Sequence, residues 1–327
     1  MSLVSQIEAT TQKYHDKELK DCTKFRSYYL TKLLGRSREF VDGRSYTWPV
    51  KYARVSTQWL AEYEKQERSP TEQITQAEEP YVFSSTACVL SEQELKKNQG
   101  KERILNLLSK KLSMLRDDVE KDLSTAIWTG DASKEPRGIL SDTSTAGWID
   151  MSADTGSQSG TVAGIVRGTD DTGSGLFTNW WQAHVDADIG GDISEDWINQ
   201  LIQGCSHDKD APDLLISGKT VHQYVYNIAT GLEREPHSDA AKLGFKSISI
   251  NGIPYVWDED CGSADADAIF AFNMKDHGLY FLKGSKMHRT EWFKPQDQRA
   301  IVCDMINDLT FVVEVPRNQG GYGGITG

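Results

Sequence analysis

Residues 62–83 read EYEKQERSPTEQITQAEEPYVF. The first part is nearly all charge and amide, while the flanking runs are rich in β-formers and aromatics. Two readings are open: a disordered insertion, or the tip of a long hairpin that reaches past its own core. Upstream, RSYTWPVKYARVS (44–56) alternates Tyr46, Trp48, Val50 and Tyr52 with Thr47, Pro49 and Lys51. That is the period of a half-buried strand. Pro49 cannot donate to a ladder, which places this strand at an edge or a bulge. Downstream, YVFSSTACV sets Tyr81, Phe83, Ser85, Ala87 and Val89 on one face. The two runs predict one antiparallel hairpin with a broad charged tip. A lone hairpin is marginal in water. Its aromatic face therefore needs cover, from a sheet of the same chain or from a neighbouring subunit.

The chain has 327 residues, enough for about two domains of roughly 150 residues each. With 38% hydrophobic and 26% charged residues, its composition suits a folded globular chain. No apolar run approaches the roughly 18 residues of a membrane span. The first residues, MSLVSQIEATTQKYHDKELK, hold no basic region followed by an apolar stretch. The expectation is a soluble product made in the cytosol. Five scattered cysteines (Cys22, Cys88, Cys205, Cys261 and Cys303) without a CxxC read as free, largely buried thiols. A formal net charge of −12 argues against gripping nucleic acid through its phosphates, though not against enclosing it.

The first forty residues read as an arm, with short helices, that packs onto something else. SEQELKKNQG (91–100) holds Ser91 and Glu94 at capping-box spacing, with Gly100 as a stop. Then Ile104, Leu108, Leu112, Leu115, Val119, Leu123 and Ala126 or Ile127 recur at steps of three and four, with no Pro or Gly before Gly130. A helix of about 28 residues would run about 40 Å, more than one compact domain needs. Asp117 and Lys121 add an acid-first i, i+4 pair.

Residues 131–178 predict short strands and turns. DISEDWINQLI places Asp192 and Glu195 at capping-box spacing ahead of an apolar stripe. APDLLISG reads as a buried strand and KTVHQYVYNIATG as a helix. KSISINGIPYVW reads as a hairpin about Asn251-Gly252. RAIVCDMINDLTFVVEVPR reads as two strands turning near Asn307-Asp308.

Catalytic patterns are weak. Gly218-Lys219-Thr220 ends like a phosphate-binding loop, but Asp213 stands where its first Gly belongs. His184, Asp186 and Asp188 alternate along HVDAD, and Cys205, His207 and Asp208 cluster in CSHDKD; each lacks a partner motif. Trp180-Trp181 suits packing better than sugar stacking. No cofactor is implied.

The order of these elements resembles the major capsid protein of tailed bacteriophages, in the fold those proteins share with encapsulins. The matching series begins with a strand, polar tip and strand from about Phe40 to Ala87, then SEQELKKN and the helix from Lys101 to Trp128. It continues with GD…EPRGIL (Gly130 to Leu140), Gly164–Arg167, Asn179-Trp180-Trp181, DLLIS, AAKLGFKSISINGIPYVWDED, AFNMKDHGLYFL and the C-terminal strands. Relatives often carry a Pro inside the Asn-Trp-Trp motif, and this chain does not. It also lacks the long charged N-terminal helix that serves some relatives as a scaffold. Lys51 and Lys65 lie where some relatives cross-link, but no motif singles them out.

The resemblance implies an α+β fold divided into an N-terminal arm (1–39), an extended loop (40–88), a peripheral domain with a long spine helix and sheet (89–192 and 287–327) and a mixed α/β axial domain (193–286). It implies a structural, non-enzymatic protein that assembles with itself into pentamers and hexamers of an icosahedral virion. The assembly would form in a bacterial host's cytoplasm and enclose double-stranded DNA without reading sequence or touching a membrane. A scaffolding protein, a portal and a decoration protein are the further partners it suggests. Trp48, Tyr52, Trp59, Lys65, Arg68, Tyr81 and Phe83 are then the candidate inter-subunit contacts. Two other readings are an encapsulin-like compartment shell and a soluble carbohydrate-binding protein or enzyme.

Overall fold

A computed structural model describes residues 27–41, 43–53, 55, 57–66, 68, 72–97, 101–140, 146–167, 179–207, 209–228, 248–296 and 298–326, without the side chains of 95, 97 and 101–108. In chain order the elements are helix α1 (Tyr28–Arg36) and strands β1 (Arg38–Phe40), β2 (Ser45–Lys51), β3 (Ile74–Pro80) and β4 (Val82–Ser91). Helices α2 (Glu92–Lys97) and α3 (Lys101–Thr129) follow, then strands β5 (Thr161–Val162), β6 (Ile165–Val166), β7 (His184–Asp186) and β8 (Gly191–Asp192). Next come helix α4 (Glu195–Gly204), strand β9 (Leu214–Ser217), helix α5 (Lys219–Ile228), strands β10 (Ile248–Ile250) and β11 (Ile253–Trp257), and helix α6 (Glu259–Ala264). The chain closes with strands β12 (Ile269–Phe272), β13 (His277–Leu282), β14 (His288–Arg289), β15 (Ala300–Val313), β16 (Gly320–Tyr322) and β17 (Ile325–Thr326).

The capping box of α2 and the long helix α3 are both present, while the expected Gly100 stop and the side chains of Ile104 and Leu108 lie outside the described residues. Ser91 Oγ accepts from Glu94 N–H and Glu94 Oε2 accepts from Ser91 N–H, both at 3.1 Å, closing the capping box reciprocally. Helix α3 runs 29 residues, about 43 Å at about 1.5 Å per residue. Its inner face sets Leu115 and Val119 against Cys88 and Met305 of the sheet beneath. Lys121 reaches Asp260 of α6 at 2.5 Å, tying the long helix to the other half of the molecule.

One sheet has the order β1-β13-β15-β14, with β4 on the opposite edge of β15. The other has the order β10-β11-β9-β12-β16-β7. Leu214 and Ile216 of β9 point into the main core, while Leu215 points to the layer holding Leu201, Val221 and Val225 of α4 and α5. Burial on both faces explains the unbroken apolar run of DLLIS. Asn251 (φ 52°) and Gly252 (φ 79°) make the turn joining β10 to β11, the left-handed pair a two-residue hairpin needs.

Several expectations are corrected. The segment from Ser27 does not pack away from its own chain. Tyr28, Tyr29, Leu30 and Leu33 of α1 are buried in the main core, and Ser27 caps the helix. Residues 1–26 of the expected arm, with Cys22, lie outside the described residues. The partner of β2 is β3, inside the stretch read as charged tip, with Ser45 opposite Pro80 and Lys51 opposite Ile74. Strand β4 instead pairs with β15 over ten positions, from Ala300–Ser91 to Leu309–Val82.

Strand β15 does not turn at Asn307-Asp308 but runs 14 residues without a break. The polar side chains there are used across the sheet edge. Asn307 Oδ1 accepts from Met287 N–H at 2.7 Å and Asp308 Oδ2 from Ser285 Oγ at 2.7 Å. The cap of α4 is Ser194, not Asp192. Sheet membership also departs from the expected boundaries. β13 joins the sheet of β15, and β16 joins the sheet of β9. Alternation identifies a strand but not its partner.

His277 sits at the junction of the two sheets, its Nδ1 sharing a 2.5 Å hydrogen bond with the Tyr29 hydroxyl. Rings of Tyr29, Phe272 and Phe311 surround it, and burial holds its pKa at about 4. The imidazole is therefore neutral in the folded chain, while in the unfolded chain it takes up a proton below about pH 6.5. Its contribution to stability is present above that pH and is lost as pH falls toward 4, by about 3 kcal/mol in total. Burial raises neighbouring Asp276 to about 6, which acts in the opposite sense. The His277 part is therefore read as a difference: urea unfolding at pH 7 and at pH 4.5 should show a steeper acid loss for the natural chain than for His277→Gln. Parallel pH profiles would refute it.

Candidate assembly surfaces

The hairpin β2–β3 is rooted by aromatic packing. Tyr46 stacks on Tyr280 with ring centroids 4.0 Å apart, and both hydroxyls donate to Glu314 Oε1, at 3.1 and 2.5 Å. Trp48 donates from Nε1 to Glu314 O at 3.3 Å and lies 6.4 Å from both Trp148 and Trp181. Trp181 donates to Val162 O at 3.1 Å, within the small hairpin β5–β6. The second strand is pinned by charge: Arg137 Nε donates to Glu79 Oε1 at 2.9 Å, with both side chains largely buried. Burial pushes the Glu79 carboxyl up, and Arg137 opposes that rise. Arg167 is buried next to this anchor, its Nη2 donating to Gly147 O and Trp148 O at 2.8 and 2.5 Å.

The candidate contacts therefore divide. Trp48 and Tyr81 are buried by residues of their own chain, and Tyr52 is half-buried with its ring 5.6 Å from that of Trp180. These three root the hairpin rather than offer an uncovered face. Trp59, Lys65, Arg68 and Phe83 are exposed, Trp59 at 91% and Phe83 at 72%. The face of β4 expected to be covered, from Phe83 through Ser85 and Ala87 to Val89, is its outward one. Val82, Cys88 and Leu90 face inward.

Sequence reading missed Tyr63, which is 95% exposed. It occupies the third position of a turn closed by Glu64 N–H on Ala61 O at 3.1 Å and by Ala61 N–H on Glu64 Oε2 at 2.8 Å. Its φ is +71°, a left-handed conformation that costs a non-glycine residue on the order of 1 kcal/mol. A lone aromatic inside a charged run was the available signal. The tip thus carries two bulky rings with no cover from the described residues.

The weak chemical clusters do not converge. His184 places Nε2 3.2 Å from the Tyr322 hydroxyl and Nδ1 3.5 Å from Thr155 Oγ1. Asp188 Oδ1 accepts from Gly190 N–H at 2.9 Å. Cys205 is buried, His207 and Asp210 form a backbone bridge, and Asp208 lies outside the described residues. Among the described residues, no group of three or more His, Cys, Asp or Glu is placed to hold a metal. No helix among them is long and apolar enough to cross a membrane.

This arrangement of a rooted two-stranded arm, a long helix over one sheet and a second α/β layer shares its fold with solved phage capsid shells and an encapsulin. Solved structures carry that assignment. The chain is similar to the capsid of cyanophage A-1(L), with TM-score 0.68 and 13% identity over 95% of this chain and 96% of that one. It is similar to the capsid of a native GTA particle, with TM-score 0.61 and 12% identity over 94% and 95%. It is similar to the SrpI encapsulin of Synechococcus elongatus PCC 7942, with TM-score 0.58 and 8% identity over 99% and 96%. No protein-family model matches the chain, and no curated protein matches it in sequence.

Proposed function

We propose that this chain is the major capsid protein of a tailed bacteriophage, a structural protein of the virion. Copies associate as pentamers and hexamers and close into an icosahedral head around double-stranded DNA. The observation that carries this reading is the fold itself, shared with capsid shells over nearly the whole of both chains. The exposed tip and the outward face of β4 supply apolar surface for contacts between copies. The tip of one copy lies over its neighbour, where Trp59 and Tyr63 lose water and Lys65 and Arg68 meet polar partners. A net charge of −12 keeps packaged DNA from adhering tightly to the wall. A scaffolding protein, a portal and a decoration protein are the partners such a head takes.

The test is expression of the full chain, alone and beside a scaffold, with negative-stain imaging of the product. Closed particles of uniform size are expected. A product that stays monomeric at high concentration in both settings would overturn the reading. The likeness to the SrpI encapsulin supports a second reading, a compartment shell around protein cargo. Nuclease-protected double-stranded DNA inside native particles decides for the phage head, and a copurifying enzyme decides for the compartment.

A further inference from the structure

Cys88 of β4 and Cys303 of β15 stand directly opposite one another in the antiparallel ladder. Both are free and buried, and Cys88 packs with Leu115 and Val119 of α3. The phase of the ladder follows from its neighbours. Glu92 N–H donates to Arg299 O, so Arg299 turns its carbonyl toward β4. Val302 exchanges both its backbone bonds with Phe293 on the other edge, at 2.8 and 2.9 Å. Cys303 therefore turns its backbone toward β4, and Cys88–Cys303 is a hydrogen-bonded cross-strand pair.

Such pairs hold their α carbons about 5.5 Å apart, close to the commonest disulfide value. Their β carbons, at about 5 Å, stand wider than the roughly 3.8 Å of a relaxed bridge. A bond here forms within the existing fold but under strain, which makes it easy to reduce. The two cysteines also differ in access. Cys88 keeps 7% of its surface exposed; burial pushes its thiol above the usual range, and the nearby Lys111 opposes that rise. Cys303 is fully buried and donates from Sγ to Thr290 O at 3.3 Å.

We propose that Cys88 and Cys303 form a reversible redox latch that cross-links the strand leaving the hairpin to the long C-terminal strand. A small-molecule disulfide such as oxidised glutathione is the oxidant. The Cys88 thiol gives up its proton and attacks one glutathione sulfur, forming a mixed disulfide and releasing one glutathione thiol. Cys303 then loses its proton, leaves Thr290 and attacks the Cys88 sulfur, expelling the second glutathione as thiol. Two protein thiols become one disulfide, and one oxidised glutathione becomes two reduced. The latch stays open in a reducing cytosol and closes outside it. It does not depend on shell formation, so its failure and that of the capsid reading are separate.

The purified full chain is incubated with oxidised glutathione, denatured in an alkylating agent and mapped by mass spectrometry. Two of the five thiols should be lost, in a peptide joining Cys88 to Cys303, and dithiothreitol should restore both. Cys205→Ser and Cys261→Ser should oxidise like the natural chain, whereas Cys88→Ser and Cys303→Ser should form no internal link. Oxidation should shift the folding equilibrium in urea toward the folded state by about tenfold or more. Five thiols surviving exhaustive oxidation of the natural chain, glutathione stalled on Cys88, or a bridge to any other cysteine would each overturn the proposal, whatever the variants do.

Discussion

Replacing Trp59 and Tyr63 together by serine should leave the subunit folded and abolish assembly. Both rings project from the hairpin tip, 91% and 95% exposed, so their removal takes nothing from the core. Aromatic side chains of this size bury roughly 150–250 Å² each. At about 25 cal/mol per Å² that is at most about 4–6 kcal/mol apiece, of which only the surplus over the costs of association reaches affinity. A surplus of about 1.4 kcal/mol lost with the rings already weakens each contact about tenfold. In the closed shell proposed above the contact would recur at every subunit, so the loss compounds.

The backbone at Tyr63 sharpens the test. At φ +71° a glycine would be more comfortable than a tyrosine, so the ring is held there against local preference. Tyr63→Gly should therefore raise the thermal midpoint of the isolated subunit slightly and still reduce particle yield. The readouts are circular dichroism for the fold and sedimentation for assembly. A double-serine variant that builds particles of normal size at normal concentration would remove the tip from the mechanism.

Much of the molecule was legible because its signals are local. Helix α3, the Ser91–Glu94 box and the Asn251-Gly252 turn each depend on residues within one turn or one helix face. What was not legible was partnership across the chain. Strand β3, ITQAEEP, has solvent on most of its length and buries only Ala77 and Glu79, so its pattern looks like loop. Glu79 is the misleading residue: its carboxylate is buried only because Arg137, 58 positions away in sequence, meets it. Asn307 and Asp308 resemble a turn for a similar reason, since the groups that satisfy them come from the Ser285–Met287 segment.

The candidate contacts divided along the same line. Alternation placed Trp48 on an apolar face, but it cannot say whose residues cover that face: the cover is Trp148, Trp181 and Glu314 of the same chain. Tyr81, grouped by alternation with Phe83, Ser85, Ala87 and Val89, is buried while those four face outward. Trp59 and Phe83 stayed uncovered, and only they, with Lys65 and Arg68, remain available to a neighbouring copy.

Gly130→Ala should be the most destabilising single methyl in the chain's central helix–turn unit, at about 3–5 kcal/mol. Gly130 closes helix α3 by donating to Ala126 O at 2.9 Å and accepts from Gly138 N–H at 3.0 Å. The returning segment then donates from Ile139 and Leu140 to Ile127 O and Trp128 O, at 2.8 and 3.0 Å. Those two carbonyls would otherwise be buried without partners at the helix end. Asp131 holds the turn between, its Oδ1 accepting from the N–H groups of Ser133, Lys134 and Glu135 at 2.9 to 3.2 Å.

A β carbon on Gly130 would lie 2.0 Å from Pro136 O and 2.5 Å from Ala126 O. Both are backbone atoms in a turn bound at each end, so neither yields without breaking the bonds just described. Losing one or two of those bonds, each worth about 1 kcal/mol net, adds to the overlap. Gly35→Ala is the control, because a β carbon there meets nothing within 4 Å and the site is helical. It should stabilise by up to about 1 kcal/mol. Urea unfolding of the two variants beside the natural chain decides it: a Gly130→Ala midpoint within experimental error of the natural one would mean that the turn relaxes freely and does not set the end of the helix.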